Sequence, residues 1–472
     1  MKPASNMIPV LEYPALPRKA AISQPPRRLL LVAYNFPPVG GAGVQRPVKW
    51  VKNLRRFGWD VTVLTTANPS VPARDESLLA DIPDDVLVIR AKTWEPDYRT
   101  KQGLVDRSNA GPTSFVARAK SAVKGLVKQA VKLVLQPDPQ VLWVPNAIKA
   151  GQRVLSEMSH DAILVTAPAY SSFFIGTKLK RQFGLPLVLD FRDEWDLSGR
   201  YLENAQRDGI SQVIQGWMQR NVLRQADAVV ATTIGSAANL AGKLTAVNKA
   251  STRSVTVYNG FDVEDFPTQS TEPVGVPGST FRLLYTGTLW NLTTIEPLVT
   301  AIQHLNATTP ELLNRLELVC VGRKTPEQVA ILDRLKSTSC QLELIDYCEH
   351  KKVLEWLQST DAMCLLLSDV PGAERVVPAK LFEYLANRKD MLAIVPRGET
   401  ADIARRFFPA GQFEPKDIDG IARWLTNRLT SVDERRDFGT PAADINEYSR
   451  TTQTRHLVEL LDEVVQDRKV KR

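Results

Sequence analysis

Cysteine is scarce in this chain: four among 472 residues, at Cys320, Cys340, Cys348 and Cys364. None stand at metal-ligand spacing, and Cys320 and Cys364 lie inside apolar runs. That excludes a disulfide scaffold and fits buried thiols in a reducing compartment. Long hydrophobic runs are missing too, since no stretch reaches the ~20 apolar residues that a membrane-spanning helix needs. No apolar signal-peptide core precedes the early charges. The expectation is a cytoplasmic protein. Concentrated charge is also lacking. Sixty Lys and Arg against 52 Asp and Glu give a net charge of +8. That excess favours an anionic partner, but it is too diffuse for nucleic acid, which calls for a dense basic stripe with interleaved aromatics. The terminal Gly-Lys-Ser/Thr of a Walker A loop and the full dinucleotide fingerprint are both missing.

What is present is alternation. Arg28 to Tyr34 reads as a buried strand, Gly40, Gly41 and Gly43 as a loop, Val44 to Leu54 as a helix and Asp60 to Thr65 as a second strand. Strand, glycine loop, helix, strand is a doubly wound opening. Further strands read at 161–166, 187–190, 226–232 and 254–262. The pattern restarts at 283–286, with later strands at 316–322, 342–345, 361–367 and 391–395. The chain is long enough for two globular domains. A stretch rich in Pro, Gly, Ser and Thr at 267–280 separates them. The expected division is a disordered lead-in at 1–27, a first domain at 28–266, the linker, a second domain at 281–445, and a helix at 446–472 that returns to the first domain.

Three stretches carry chemistry. The first is VPAKLFEYLANRKDMLAIV, 377–395. Pro378 suits a first helical turn, Leu381, Phe382, Leu385 and Ala386 form an apolar face, and Asn387 suits a C-cap. Lys380 lies where helix N–H groups already favour an anion, and Glu383 follows three residues on. Either a phosphate sits beside Lys380 with Glu383 accepting from sugar hydroxyls, or the two are an exposed surface pair. The second stretch is DFRDEW, where Asp190, Arg192, Asp193 and Trp195 crowd the carboxyl end of a strand, the place where open α/β sheets bind ligands. The alternative is a loop held by its own Asp–Arg pairs. The third is the glycine loop, whose backbone could approach an anion or a sugar closely. Apart from these, Lys120, Lys124, Lys128 and Lys132 recur every four residues among valines. They read as a basic amphipathic helix, lying on an anionic membrane surface or presenting a solvated face.

PAKLFEYLA followed by a strand resembles the donor-site signature of glycosyltransferase family 4, as do the PP-Val-GG loop ending in Arg46 and the DFRDEW and VYNGFD stretches. The resemblance covers nearly the whole chain after residue 27. It implies a GT-B fold: two doubly wound, Rossmann-like α/β domains with a cleft between them and a C-terminal crossover helix. It implies a retaining hexosyltransferase that needs no metal and no cofactor beyond a nucleotide-sugar co-substrate, and that acts on a glycan or lipid-linked acceptor in bacterial surface polysaccharide biosynthesis. Glu383 would hold the ribose. Lys380 would take the diphosphate charge, with Arg375 or Arg323 assisting, because the usual Arg and Lys after the first strand of the second domain are replaced by Thr288–Asn291. Gly287, Tyr347 and Leu381 would complete the donor site, with Gly41 and Gly43 approaching from the first domain. The family's first glutamate falls at Arg375, so Glu374 would substitute through a shifted loop. Asp193, Arg192 and Arg46 are the catalytic candidates on the acceptor side. A non-catalytic subunit of a glycan-assembly complex and a nucleotide-sugar epimerase are the rival readings.

Overall fold

The computed structural model describes residues 26–71, 73–98, 100, 134–197, 208–266, 280–432 and 444–471. The expected lead-in up to residue 25, the Lys120–Lys132 run and linker residues 267–279 lie outside the described residues.

Each half of the chain builds one parallel sheet. The first half runs β1 (Arg27–Ala33), α1 (Ala42–Leu54), β2 (Trp59–Thr66), β3 (Leu87–Ala91), α2 (Val144–Glu157), β4 (Ala162–Ala167), α3 (Ser172–Phe183), β5 (Leu187–Phe191), α4 (Gly209–Leu223), β6 (Ala228–Ala231), α5 (Ile234–Ala246) and β7 (Arg253–Thr256). The strands lie in the order β3-β2-β1-β4-β5-β6-β7. The second half runs β8 (Phe281–Thr286), α6 (Glu296–Thr308), β9 (Leu316–Val321), α7 (Pro326–Asp333), β10 (Gln341–Ile345), α8 (His350–Gln358), β11 (Ala362–Leu366), α9 (Lys380–Asn387), β12 (Asp390–Ile394), α10 (Glu399–Phe407), β13 (Gln412–Phe413), α11 (Ile418–Thr430) and α12 (Arg450–Lys471). Its order is β10-β9-β8-β11-β12-β13.

The apolar runs explain the layering. In β1, Leu29 and Leu31 join a cluster with Val48, Val51 and Leu54 of α1. Leu30 and Val32 face the other way, into a cluster with Phe173 and Leu179 of α3. Both faces of a doubly wound parallel sheet are covered, so the strand is apolar throughout rather than alternating. Sheet order reverses between β1 and β4 and again between β8 and β11, which puts a switch point in the middle of each sheet. The last helix, α12, packs Leu457, Leu461 and Val464 into the cluster on α1. It is pinned there by Trp59, whose indole donates to Asp462 (3.0 Å), and by Arg253, which pairs with Glu463 (2.8 Å) and Asp467 (2.6 Å).

Some boundaries differ from the sequence reading. Helix α9 starts at Lys380, two residues after Pro378, whose carbonyl accepts from the Leu381 N–H at 3.0 Å. Its left-handed terminator is Arg388, at φ 55°, not Asn387. Asn387 stays helical because its side-chain amide donates to the Leu357 carbonyl at 2.6 Å. Strand β12 begins at Asp390 rather than Met391: Asp390 pairs in register with Ala362, and Arg428 holds its carboxylate at 2.9 Å.

Candidate functional site

The loops at the two switch points meet across the cleft. From the first domain comes the glycine loop that follows β1. From the second come the loop after β8, the loop after β10 and the start of α9. Tyr347, after β10, lies so close to the glycine loop that a Cβ on Gly40 would stand 2.2 Å from its hydroxyl. Gly41, the next residue, sits at φ +97°, left-handed backbone that suits glycine. The His350 N–H, at the start of α8, donates across the cleft to Asp75 at 3.1 Å.

On the second-domain side, Gly287 ends β8 at φ +109°, and an added Cβ would lie 2.7 Å from the Lys380 ammonium. Lys380 thus rests on bare backbone. Its Nζ donates to the Tyr285 hydroxyl (2.8 Å) and lies 4.0 Å from the centre of the Tyr285 ring. Among the described residues no carboxylate stands within ion-pair distance of it. Burial pushes this ammonium down to about 7, against weaker opposing pulls from Cys364 and Glu383. Glu383 accepts from His350 Nε2 at 3.0 Å through one oxygen, while Oε2 has no protein donor among the described residues. Burial would raise the Glu383 carboxyl, but His350, then Arg450 and Lys49, hold it below its usual value. Burial likewise pulls the His350 imidazole down, and Glu383 more than offsets this.

Two sequence candidates here do other things. Leu381 is wholly buried in the core with Phe382 and Leu385, so its side chain offers nothing to a donor. Arg323 is exposed beside Gly322, and its carbonyl accepts from the Leu289 N–H at 2.8 Å. Lys324, next to it, folds back onto the carbonyls of Gly322 (2.7 Å) and Ile345 (2.6 Å).

The register where a glutamate was expected holds a bridge between domains. Arg375 donates to Glu194 of the first domain at 2.8 Å, and its carbonyl accepts from the Thr233 hydroxyl at 2.8 Å. Glu374 accepts from the Gly372 N–H at 2.9 Å and pairs with Arg375. Glu399 of α10 caps the first turn of α5, accepting from the N–H groups of Ile234 (2.9 Å) and Gly235 (3.1 Å). Arg375 is therefore committed to carboxylates rather than open to a phosphate.

On the first-domain side, Asp193 is exposed, with Arg192 at 3.7 Å and its own carbonyl held by the Tyr170 hydroxyl at 2.9 Å. Arg192 donates to the Gly43 carbonyl, joining the DFRDEW loop to the glycine loop. Arg46 lies elsewhere. Its guanidinium is 1% exposed, binds Asp190 (2.9 Å) and the Tyr258 carbonyl (3.0 Å), and stacks 4.4 Å from the Trp50 ring centre. No part of it remains for a substrate, so its place in the structure is a brace under the cleft, not a reacting group. Sequence reading missed Glu194 and His350. Glu194 stood in the quoted DFRDEW run beside the aspartate that drew notice. His350 had only its place after a strand to mark it.

The family model of the glycosyl transferase 4-like domain matches residues 40–253. No curated protein matches the chain significantly. Among solved structures, the sucrose-phosphate synthase of Thermosynechococcus elongatus is similar over 93% of this chain and 100% of its own, at 15% identity and a TM-score of 0.59. Anabaena HepE in complex with UDP and glucose is similar over 93% and 100%, at 13% identity and 0.58. The trehalose 6-phosphate synthase of Burkholderia multivorans is similar over 95% and 98%, at 11% identity and 0.56. At these identities the likeness establishes architecture. The chain thus has the two-domain GT-B fold and carries a glycosyl transferase 4-like domain in its first half.

Proposed function

We propose that the protein is a retaining glycosyltransferase that moves a sugar from a nucleotide-sugar donor, bound by the second domain, to a glycan or lipid-linked acceptor presented to the first, in the building of bacterial surface polysaccharide. The observation that carries this reading is the Lys380 ammonium. It lies half-buried at the start of a helix, over the bare backbone of Gly287, with no carboxylate within ion-pair distance among the described residues. An uncompensated buried cation is costly unless an anion arrives. A diphosphate supplies that anion, and the positive dipole end of α9 favours it. The open oxygen of Glu383 is placed to accept from ribose hydroxyls. HepE, of the same fold, is described in complexes with UDP and with UDP-glucose, which supports a nucleotide-sugar donor here.

Catalysis is then positioning and charge stabilisation. Lys380 stabilises the departing diphosphate, so the step needs no metal. Asp193 orients the acceptor hydroxyl and takes its proton as the new bond forms. Arg192, on the Gly43 carbonyl, fixes the loop that carries Asp193. The test is mass spectrometry after incubation with a panel of nucleotide-sugars, with and without glycan and lipid-linked acceptors. Release of nucleoside diphosphate that depends on an acceptor is expected. Binding without turnover across the whole panel would point to a non-catalytic subunit instead, and isomerised donor with no acceptor requirement to an epimerase.

A further inference from the structure

Helix α4 presents a stripe that no described residue covers. Ile210 is 65% exposed, Val213 71% and Trp217 58%. They stand three and four residues apart, on one face of the helix. The same stripe continues through Arg220 and Arg224, both exposed and neither paired with a carboxylate among the described residues. The helix itself carries no acidic residue. Three large apolar side chains followed by two guanidinium groups with no carboxylate partner among the described residues are unusual on a water-facing surface.

We propose that α4 is a membrane-docking surface and that its partner is an anionic phospholipid bilayer. Charge and chemistry both favour that occupant. Trp217 is a side chain with an apolar body and a polar edge, suited to the headgroup boundary, and lies between the apolar end and the arginines. The arginines match headgroup phosphates, and the chain as a whole carries +8. At about 22 Å, the 15-residue helix is too short to span a bilayer, so it lies on one. Its position gives the docking a use. The Trp195 indole donates to Gln215 of α4 at 3.1 Å, Trp195 stacks on Tyr170 at 4.8 Å, and the Tyr170 hydroxyl holds the Asp193 carbonyl. The stripe is therefore fixed to the acceptor-side loop. Resting on the glycosyltransferase reading above, the surface selects a lipid-linked acceptor over a soluble glycan.

Flotation of the full chain with vesicles tests this, using 30% phosphatidylglycerol in phosphatidylcholine against phosphatidylcholine alone. The protein should float with the anionic vesicles at low salt and less at high salt. Arg220→Gln with Arg224→Gln should weaken binding about thirtyfold, from about 1 kcal/mol for each cation. Ile210→Ser, Val213→Ser and Trp217→Ser together should lose at least about tenfold, with an unchanged circular dichroism spectrum and unchanged nucleoside diphosphate affinity. A parent protein that stays unbound overturns the proposal. So does a serine variant that floats like the parent, since another segment, such as the Lys120–Lys132 run, would then hold the membrane. A parent that is dimeric in solution while the serine variant is monomeric assigns the stripe to a second copy. Vesicle binding needs no donor, so its failure leaves the glycosyltransferase reading standing, and the reverse.

Discussion

Arg46 and Lys380 make a matched pair, one in each domain. Each lies in the first turns of a helix that follows a strand and loop. Arg46 is wholly buried and Lys380 half-buried. Yet Arg46 has the Asp190 carboxylate at 2.9 Å and a ring beneath it, while Lys380 has a hydroxyl, a ring and, among the described residues, no carboxylate within ion-pair distance. The difference separates two uses of a buried cation. A paired one holds the protein together, and an unpaired one is open to an anion, as proposed above. The same contrast runs through the surroundings. Lys49 meets Asp81, Asp262 and Asp265 within 2.9 Å, and Lys52 meets Asp262 and Glu264 at 2.8 Å. These two lysines are balanced by carboxylates of their own domain.

The comparison breaks most sharply at Arg46. Arg46→Ala would leave Asp190, which is 0% exposed, with Thr166 as its remaining side-chain donor. Removing one member of a buried pair costs roughly 3–5 kcal/mol. Chemical denaturation should show that loss, with nucleoside diphosphate affinity unchanged in whatever fraction folds. A stable Arg46→Ala protein with lost affinity would reverse the roles assigned to the two cations.

Next in size is Asp193, exposed where Asp190 is buried. Asp193→Asn keeps the shape of the side chain and removes its charge. Turnover should fall on the order of 10²-fold or more if it moves a proton, with donor affinity nearly constant. Near-normal turnover in Asp193→Asn would remove it from the mechanism.

Lys380→Ala comes third. It should weaken nucleoside diphosphate binding by roughly 1.5–3 kcal/mol, the worth of a charge-assisted hydrogen bond to a buried anion. Affinity for the bare nucleoside should not change, and stability should hold or rise, because an uncompensated cation has been removed. Equal losses for nucleoside and diphosphate, read by calorimetry, would refute a phosphate role.

Much of the fold was legible because parallel strands buried on both faces are continuous apolar runs. β1, β4, β5, β8, β9 and β11 are of this kind. β3 was not anticipated, since only Ala91 is fully buried in an edge strand that is otherwise partly wet. The stretch from α10 to α11 was also unassigned; two-residue β13 is held mainly by its neighbour. At the site, sequence could place Lys380, Glu383 and Asp193 near strand ends, but it could not tell paired from unpaired. Arg46 and Lys380 look alike as letters. Their partners, Asp190 and Tyr285, lie 144 and 95 residues away, and only the fold brings them in. Arg375 is the same lesson in another form: its meaning depends on Glu194, 181 residues distant.

The finest distinction between the two cations is their response to pH. An arginine guanidinium stays charged throughout any usable range. Lys380 does not, since burial brings its ammonium down to about 7. In the free protein it is then charged below that value and increasingly neutral above it. A diphosphate binds the charged form, so binding above pH 7 must include uptake of a proton by Lys380. Affinity should therefore fall as pH rises through about 7, by up to tenfold per unit, or about 1.4 kcal/mol. The sign is fixed by the direction of the shift: a lysine at its ordinary value would stay charged to about pH 10 and give a flat profile. Calorimetry at pH 8 in two buffers of different ionisation enthalpy should show proton uptake on binding, and Lys380→Ala should abolish both the uptake and the slope. A flat affinity profile from pH 7 to 9 in the parent protein would mean that Lys380 is not the group that meets the phosphates.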